Sequence, residues 1–99
     1  MLNIKKTISD GRVELTLEGR LDAVTAPELD AEWKAALDRT TELILDCEGL
    51  EYISSAGLRV LLSAQKAMNK QGKMKVIHVN EMVMEIFEVT GFSDILTIE

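Results

Sequence analysis

Cysteine and histidine are each present once, as Cys47 and His78. One cysteine cannot close an internal disulfide, and one histidine beside it falls short of the ligand count of a structural zinc site, so the chain suits a reducing compartment. Proline is also single, at Pro27, and there is no Pro/Ser-rich stretch, no repeat and no low-complexity tract to mark a linker. Residues 1–99 therefore read as one domain of ordinary size. Basic residues are short as well, eleven against seventeen acidic, which leaves a net charge of −6. That balance repels phosphate backbones and anionic headgroups, so neither nucleic acid nor a membrane surface is an expected partner. No run approaches the roughly 20 apolar residues of a bilayer span, and the first ten residues lack the apolar core of a signal peptide. The expectation is a soluble cytoplasmic protein, monomeric by default. Gly49, Gly57 and Gly72 form neither a GxGxxG fingerprint nor a P-loop, so no nucleotide cofactor is expected, and no metal.

What the chain does have is a 46% hydrophobic share, enough for a core. Leu2, Ile4 and Ile8 suggest a first strand. Asp10-Gly11 is a hairpin signal leading into Val13, Leu15 and Leu17, which alternate with Arg12, Glu14, Thr16 and Glu18. Thr25 with Glu28 three residues on has the form of a capping box, and Val24 with Leu29 that of a hydrophobic staple. A helix is predicted there with Leu29, Trp33, Ala36 and Leu37 on its packing face. Leu43-Ile44-Leu45 reads as a central strand covered on both faces, followed by an irregular connection from Glu48 to Ile53. Leu58, Leu61, Leu62 and Met68 mark a second helix, capped by Ser54 or Ser55 and stopped at Gly72. Val76, Ile77 and Val79 give another strand. Asn80 opens and Gly91 closes a third helix through Val83, Ile86 and Phe87, with Phe92 over Phe87 and Ile95, Leu96 and Ile98 adding a last strand or turn. The class is α/β: a mixed sheet of about four to five strands packed against helices, with right-handed crossovers in its later part.

Catalytic chemistry finds little support. His78 falls in a strand pattern ending at a helix cap and reads as structural. Cys47, at the end of the central strand, reads as a small buried apolar residue rather than a thiol nucleophile. Asp46, Glu48 and Glu51 gather at the same strand end but match no cation-binding loop, and read as a solvated acidic rim. Of Met68, Met74, Met82 and Met84, about half read as core fillers.

The informative stretch is Glu51-Tyr52-Ile53-Ser54-Ser55-Ala56-Gly57-Leu58-Arg59. Two hydroxyls and two tiny residues stand where the loop after the central strand meets a helix amino terminus. Two readings stay open there. One is simple capping, with Ala56 and Gly57 permitting close packing. The other is modification: a phosphoryl group on a first-turn serine adds about −1.5 to −2 charges where the helix dipole favours an anion, altering a docking surface without unfolding the protein.

At these residues the chain resembles the anti-sigma factor antagonists, bacterial members of the STAS superfamily shared with the cytoplasmic domains of sulfate transporters. The resemblance spans nearly the whole chain. Leu17-Glu18-Gly19-Arg20-Leu21-Asp22 is similar to the family's Gly-x-Leu-Asp segment. Leu45 through Leu58 is similar to its strand, loop and Asp-Ser-Ser/Thr-Gly-Leu phosphorylation signature, and Phe87 through Phe92 to its closing helix and turn. The departures are Ser54 where the signature has aspartate, and Ala56 in place of the second hydroxyl residue.

The resemblance implies a partner switch and no enzyme activity of the chain's own. Unphosphorylated, it would bind an anti-sigma factor with serine kinase activity and free a sigma factor. Phosphorylation at Ser55, with Ser54 as the alternative acceptor, would block binding, and a serine phosphatase would restore it. By the same resemblance the contact surface would involve Asp22, Ser54, Ser55, Ala56, Gly57 and Arg59. Two other functions are carried forward: a STAS scaffold or binding module that is never phosphorylated, and a small hydrolase or transferase using Cys47 or Ser55, which would need His78 within hydrogen-bond reach.

Overall fold

The computed structural model describes residues 1–99. Strand β1 (Leu2–Ser9) turns at Asp10-Gly11, both at positive φ (44° and 84°), into β2 (Arg12–Leu21), and the two pair antiparallel. Two left-handed residues are what a tight hairpin needs if its twist is to match the strands. Helix α1 (Ala26–Ala36) and a 3-10 turn at Leu37–Arg39 lead to β3 (Glu42–Ile53). Helix α2 (Ser55–Gln71), β4 (Lys73–Ile77), α3 (Glu81–Thr90) and a 3-10 turn at Phe92–Asp94 complete the order. The sheet runs β1-β2-β3-β4, with β3 parallel to both β2 and β4. Ile98 adds a single parallel bridge to Val76, so the tail is both a turn and a vestigial strand. The expected α/β class and mixed sheet are what the chain adopts.

Alternation sorts the sheet into two faces. Leu15, Leu17, Leu43, Leu45, Cys47, Met74 and Val76 enter one core with Leu29 and Trp33 of α1, Leu61 and Met68 of α2, and Val83 and Phe87 of α3. Each fully buried leucine contributes about 1.5–3 kcal/mol. The other face is polar. There Glu42 lies within 3.6–3.7 Å of Arg12, Lys73 and Lys75. Ile44 is buried on that face but outside the core, flanked in register by Glu14 and Lys75. The strand's two faces are thus covered by different means.

Three expectations about β3 and the start of α1 fail. The Glu48–Ile53 segment is strand: Gly49 pairs with Glu18, Leu50 with Gly19, Tyr52 with Arg20 and Ile53 with Leu21, across two register shifts. The capping box does not form, because the Thr25 hydroxyl donates to Arg20 O (2.8 Å) and accepts from Asp22 N–H (2.9 Å). The staple is absent too, with Val24 83% exposed. The other helix ends are as read. Asn80 Oδ1 accepts from Val83 N–H at 2.9 Å, and Gly91 ends α3 in the left-handed region (φ 83°). Met68 and Met74 are buried, Met84 is half-buried and Met82 is exposed.

Candidate functional site

The site is assembled where β2 and β3 end. Ser54 N–H donates to Leu21 O at 2.9 Å, joining the start of α2 to the segment that enters Asp22. Gly57 lies beneath: a β-carbon there would stand 2.7 Å from Leu21 Cγ and 2.9 Å from Ile53 Cγ1. Only a residue without a side chain lets α2 approach this closely. Gly57, expected on the contact surface, is instead buried, and its part is to seat the helix.

The two serines have different surroundings. Ser54 is the N-cap of α2, its Oγ accepting from Gly57 N–H at 3.4 Å. Ser55, the first residue of the helix, is exposed and its hydroxyl makes no hydrogen bond within the chain. The first turn of α2 has no acidic residue, whereas α1 has Glu28 and α3 has Glu81.

Asp22 braces the neighbouring loop. Its Oδ1 accepts from Val24 N–H (3.0 Å) and Thr25 N–H (3.1 Å), while its Oδ2 lies 3.9 Å from Arg20 Nε. The Thr25 amide, opposed in part by desolvation and aided by the Val24 amide, holds the Asp22 carboxyl below its ordinary pKa. Arg20 in turn stacks 4.4 Å from the centre of the Tyr52 ring. Ala56 and Arg59 of α2 face Ala23, Ala26 and Pro27 across an open groove of about 350 Å³ between the two helices. The structure therefore brings Asp22, Ser54, Ser55, Ala56 and Arg59 to one end of the domain.

His78 is elsewhere in the network. It follows β4 at φ 57°, outside the strand that the sequence pattern suggested, and its Nδ1 stands 3.0 Å from Asp46 Oδ1 and 4.0 Å from Glu48 Oε2. The Asp46 hydrogen bond and then its charge hold the imidazole pKa above the ordinary value against desolvation, with Glu48 and Glu14 adding lesser support. Donor atoms of Asp46, Glu48 and His78 lie within 4.8 Å of one another, a set that a cation could use; Glu51, expected in the acidic group, is outside it. Cys47 is fully buried in mid-strand, and burial, with the Asp46 charge beside it, pushes its thiol up to about 12. His78 is thus committed to Asp46 and makes no hydrogen bond to Cys47 or Ser55. Nothing in the sequence pattern pointed to the His78–Asp46 pair. The Arg20–Tyr52 stack was not legible either, because Arg20 pairs with Tyr52 only after two register shifts between β2 and β3.

Comparison with known proteins identifies the family. The STAS domain family model matches residues 3–99. The chain is 36% identical over 91 residues to BtrV of Bordetella bronchiseptica, named as a candidate anti-sigma factor antagonist, covering 90% of this chain and 78% of that protein. It is 31% identical over 97 residues to the anti-sigma-B factor antagonist of Staphylococcus aureus, covering 96% and 90%. Among solved structures, the Bacillus cell fate determinant SpoIIAA in its phosphorylated form superposes with a TM-score of 0.77 at 17% identity, over 100% of this chain and 91% of that one, which is a likeness of fold. No helix is long and apolar enough to cross a membrane. The chain belongs to the STAS domain family, and its sequence relatives there are anti-sigma factor antagonists, regulatory binding proteins rather than enzymes.

Proposed function

We propose that this protein is an anti-sigma factor antagonist controlled by phosphorylation at Ser55. Unphosphorylated, it binds an anti-sigma factor that is also a serine kinase and so releases a sigma factor. The phosphoryl group on Ser55 prevents that binding, and a serine phosphatase removes it. The observation that carries this reading is the division of labour between adjacent serines: Ser54 is engaged as the helix cap, while Ser55 is exposed with a free hydroxyl. A kinase needs such a hydroxyl, and Ser54 is the poorer acceptor because its oxygen already holds the Gly57 amide. The missing carboxylate in the first turn of α2 leaves the helix dipole uncompensated where the phosphoryl charge would arrive. Its −1.5 to −2 charge, by the usual phosphoserine value of about that size, then enters a contact surface formed by Asp22, Ala56 and Arg59. SpoIIAA, which shares this fold, has been solved with and without its phosphoryl group, so the fold itself tolerates one.

Site mapping by mass spectrometry of protein from its host, with and without phosphatase treatment, tests the proposal. Phosphate on Ser55 supports the switch. Its absence in both resting and stressed cells favours a STAS scaffold that is never phosphorylated, a reading for which Ser54 in place of the signature aspartate is the specific argument.

A further inference from the structure

Helix α3 turns a second surface outward that the phosphorylation switch does not use. Val83 and Phe87 face the core, which leaves Met82, Ile86 and Val89 in a stripe on the outer side. Met82 is 57% and Val89 81% exposed, and with Ile86 they line a shallow groove of about 250 Å³. Asn80 ties this helix to the sheet, its Nδ2 donating to Leu50 O at 2.7 Å. Met82 thereby also borders a larger groove of about 620 Å³ floored by Leu50 and Tyr52 at the end of β3. The two grooves meet at Met82 and form one continuous surface.

Acidic side chains dominate the charge around this surface. Glu81, Glu85 and Glu88 flank the stripe on α3, and Glu48 and Glu51 border the larger groove. None of the five meets a lysine or arginine within 4 Å, Glu48 having only His78 at 4.0 Å, and α3 has no basic residue at all. The one cation in the grooves, Arg20, is already held over Tyr52 and beside Asp22. Elsewhere the acids are better matched: Glu42 alone is met by three basic side chains.

From this arrangement we propose that the outer face of α3, with the Tyr52 groove beside it, is a docking site for a basic amphipathic segment of a partner protein. Apolar side chains of the segment would cover Met82, Ile86 and Val89 while its lysines or arginines meet the glutamate rim. A second copy presenting the same face is opposed by five glutamates on each side. An anionic membrane surface is opposed by the same charges. Ser55 lines neither groove, and the larger one approaches the switch surface only through Arg20, which lies beside Asp22.

The full-length isotope-labelled protein is titrated with a synthetic 18-residue helical peptide bearing leucines on one face and lysines on its flanks, and with a scrambled peptide of equal composition and no apolar face. Amide shifts confined to α3 and the Tyr52 groove, with at least about tenfold weaker binding of the scrambled peptide, are expected. The double variant Glu85→Lys/Glu88→Lys should weaken binding by about tenfold or more, and Val89→Gln by several-fold, both with unchanged melting temperature because these residues are exposed. Ser55→Asp should bind the peptide as the parent does. Equal affinity for the two peptides, or shifts scattered over every acidic patch, would reduce the effect to bulk charge and overturn the proposal. So would a sedimentation coefficient that grows with protein concentration and is abolished by Val89→Gln, which would make a second copy the occupant, or co-flotation of the protein with neutral phosphatidylcholine vesicles.

Discussion

Gly57 lies so close to Leu21 that a β-carbon on the glycine would stand 2.7 Å from Leu21 Cγ. Ala at this position should therefore lower stability even though alanine is the better helix former. Overpacking of about 1–3 kcal/mol exceeds the gain of about 1 kcal/mol or less in propensity at a first-turn position, for a net loss of about 1–2 kcal/mol. Thermal unfolding of Gly57→Ala should show a drop of about 4–8 °C per kcal/mol in a domain of this size. Combined with Leu21→Ala, which removes the nearest obstructing carbons but leaves Ile53 Cγ1 at 2.9 Å, the Gly57→Ala change should cost less than it does alone. Strict additivity of the two changes would rule out the steric account.

The neighbouring serines should separate stability from regulation. Ser54→Ala removes the acceptor for Gly57 N–H, and since that bond is long at 3.4 Å, the cost should sit near the low end of cap losses, about 0.5–1 kcal/mol. Ser55→Ala should leave the melting temperature within the scatter of an exposed substitution, about 0.5 kcal/mol, while abolishing kinase-dependent phosphate incorporation. Ser55→Asp should also fold normally yet bind the anti-sigma partner more weakly. Denaturant melts together with a kinase assay on the three variants check this, and incorporation that survives in Ser55→Ala but not in Ser54→Ala would transfer the acceptor role.

How far such features can be read from sequence depends on whether they are local. Asn80 and Gly91 were legible as the ends of α3 because a cap and a left-handed terminator act on residues three or four positions away. Strand β3 is hidden beyond Cys47 because its buried residues Cys47, Leu50 and Ile53 recur every third position, and the two register shifts that cause this mask the period of two. The capping box failed for a related reason: Asp22 Oδ1 captured the Val24 and Thr25 amides first, drawing the Thr25 hydroxyl back towards Arg20. The serine pair was visible at once. Which serine caps and which is free depends on how α2 is seated against Leu21, a contact 36 residues away in sequence that no local pattern encodes.

The His78–Asp46 pair predicts a pH dependence with a definite sign. Asp46 holds the folded imidazole pKa above its ordinary value of about 6.5, so the folded protein binds this proton more tightly than the unfolded chain. The resulting stabilisation is complete below about pH 6.5 and disappears as the pH rises through the folded value. His78→Gln keeps a hydrogen-bond donor near Asp46 but does not titrate, so the melting temperature of the parent should fall relative to this variant across that window. Proton NMR of the single imidazole reads the folded pKa directly. It should move down in Asp46→Asn, and a midpoint at or below the ordinary value in the parent would show that Asp46 does not hold the proton.

Cys47 should be chemically silent while the protein is folded. The side chain is fully buried, and with its thiol pushed up to about 12, only about one molecule in ten thousand carries a thiolate at pH 8. An aromatic disulfide reagent should therefore label native protein only as fast as the core opens, and label it promptly in concentrated guanidinium. The environment that silences the thiol also ranks its replacements. Cys47→Ala leaves a small cavity, whereas Cys47→Ser buries a hydroxyl among the core side chains without a partner and should be less stable than the alanine variant by about 1–3 kcal/mol. Rapid native labelling, or a serine variant as stable as the alanine one, would mean that water reaches β3 from the polar face of the sheet, and the thiol would then have to be counted among the reactive groups of the domain.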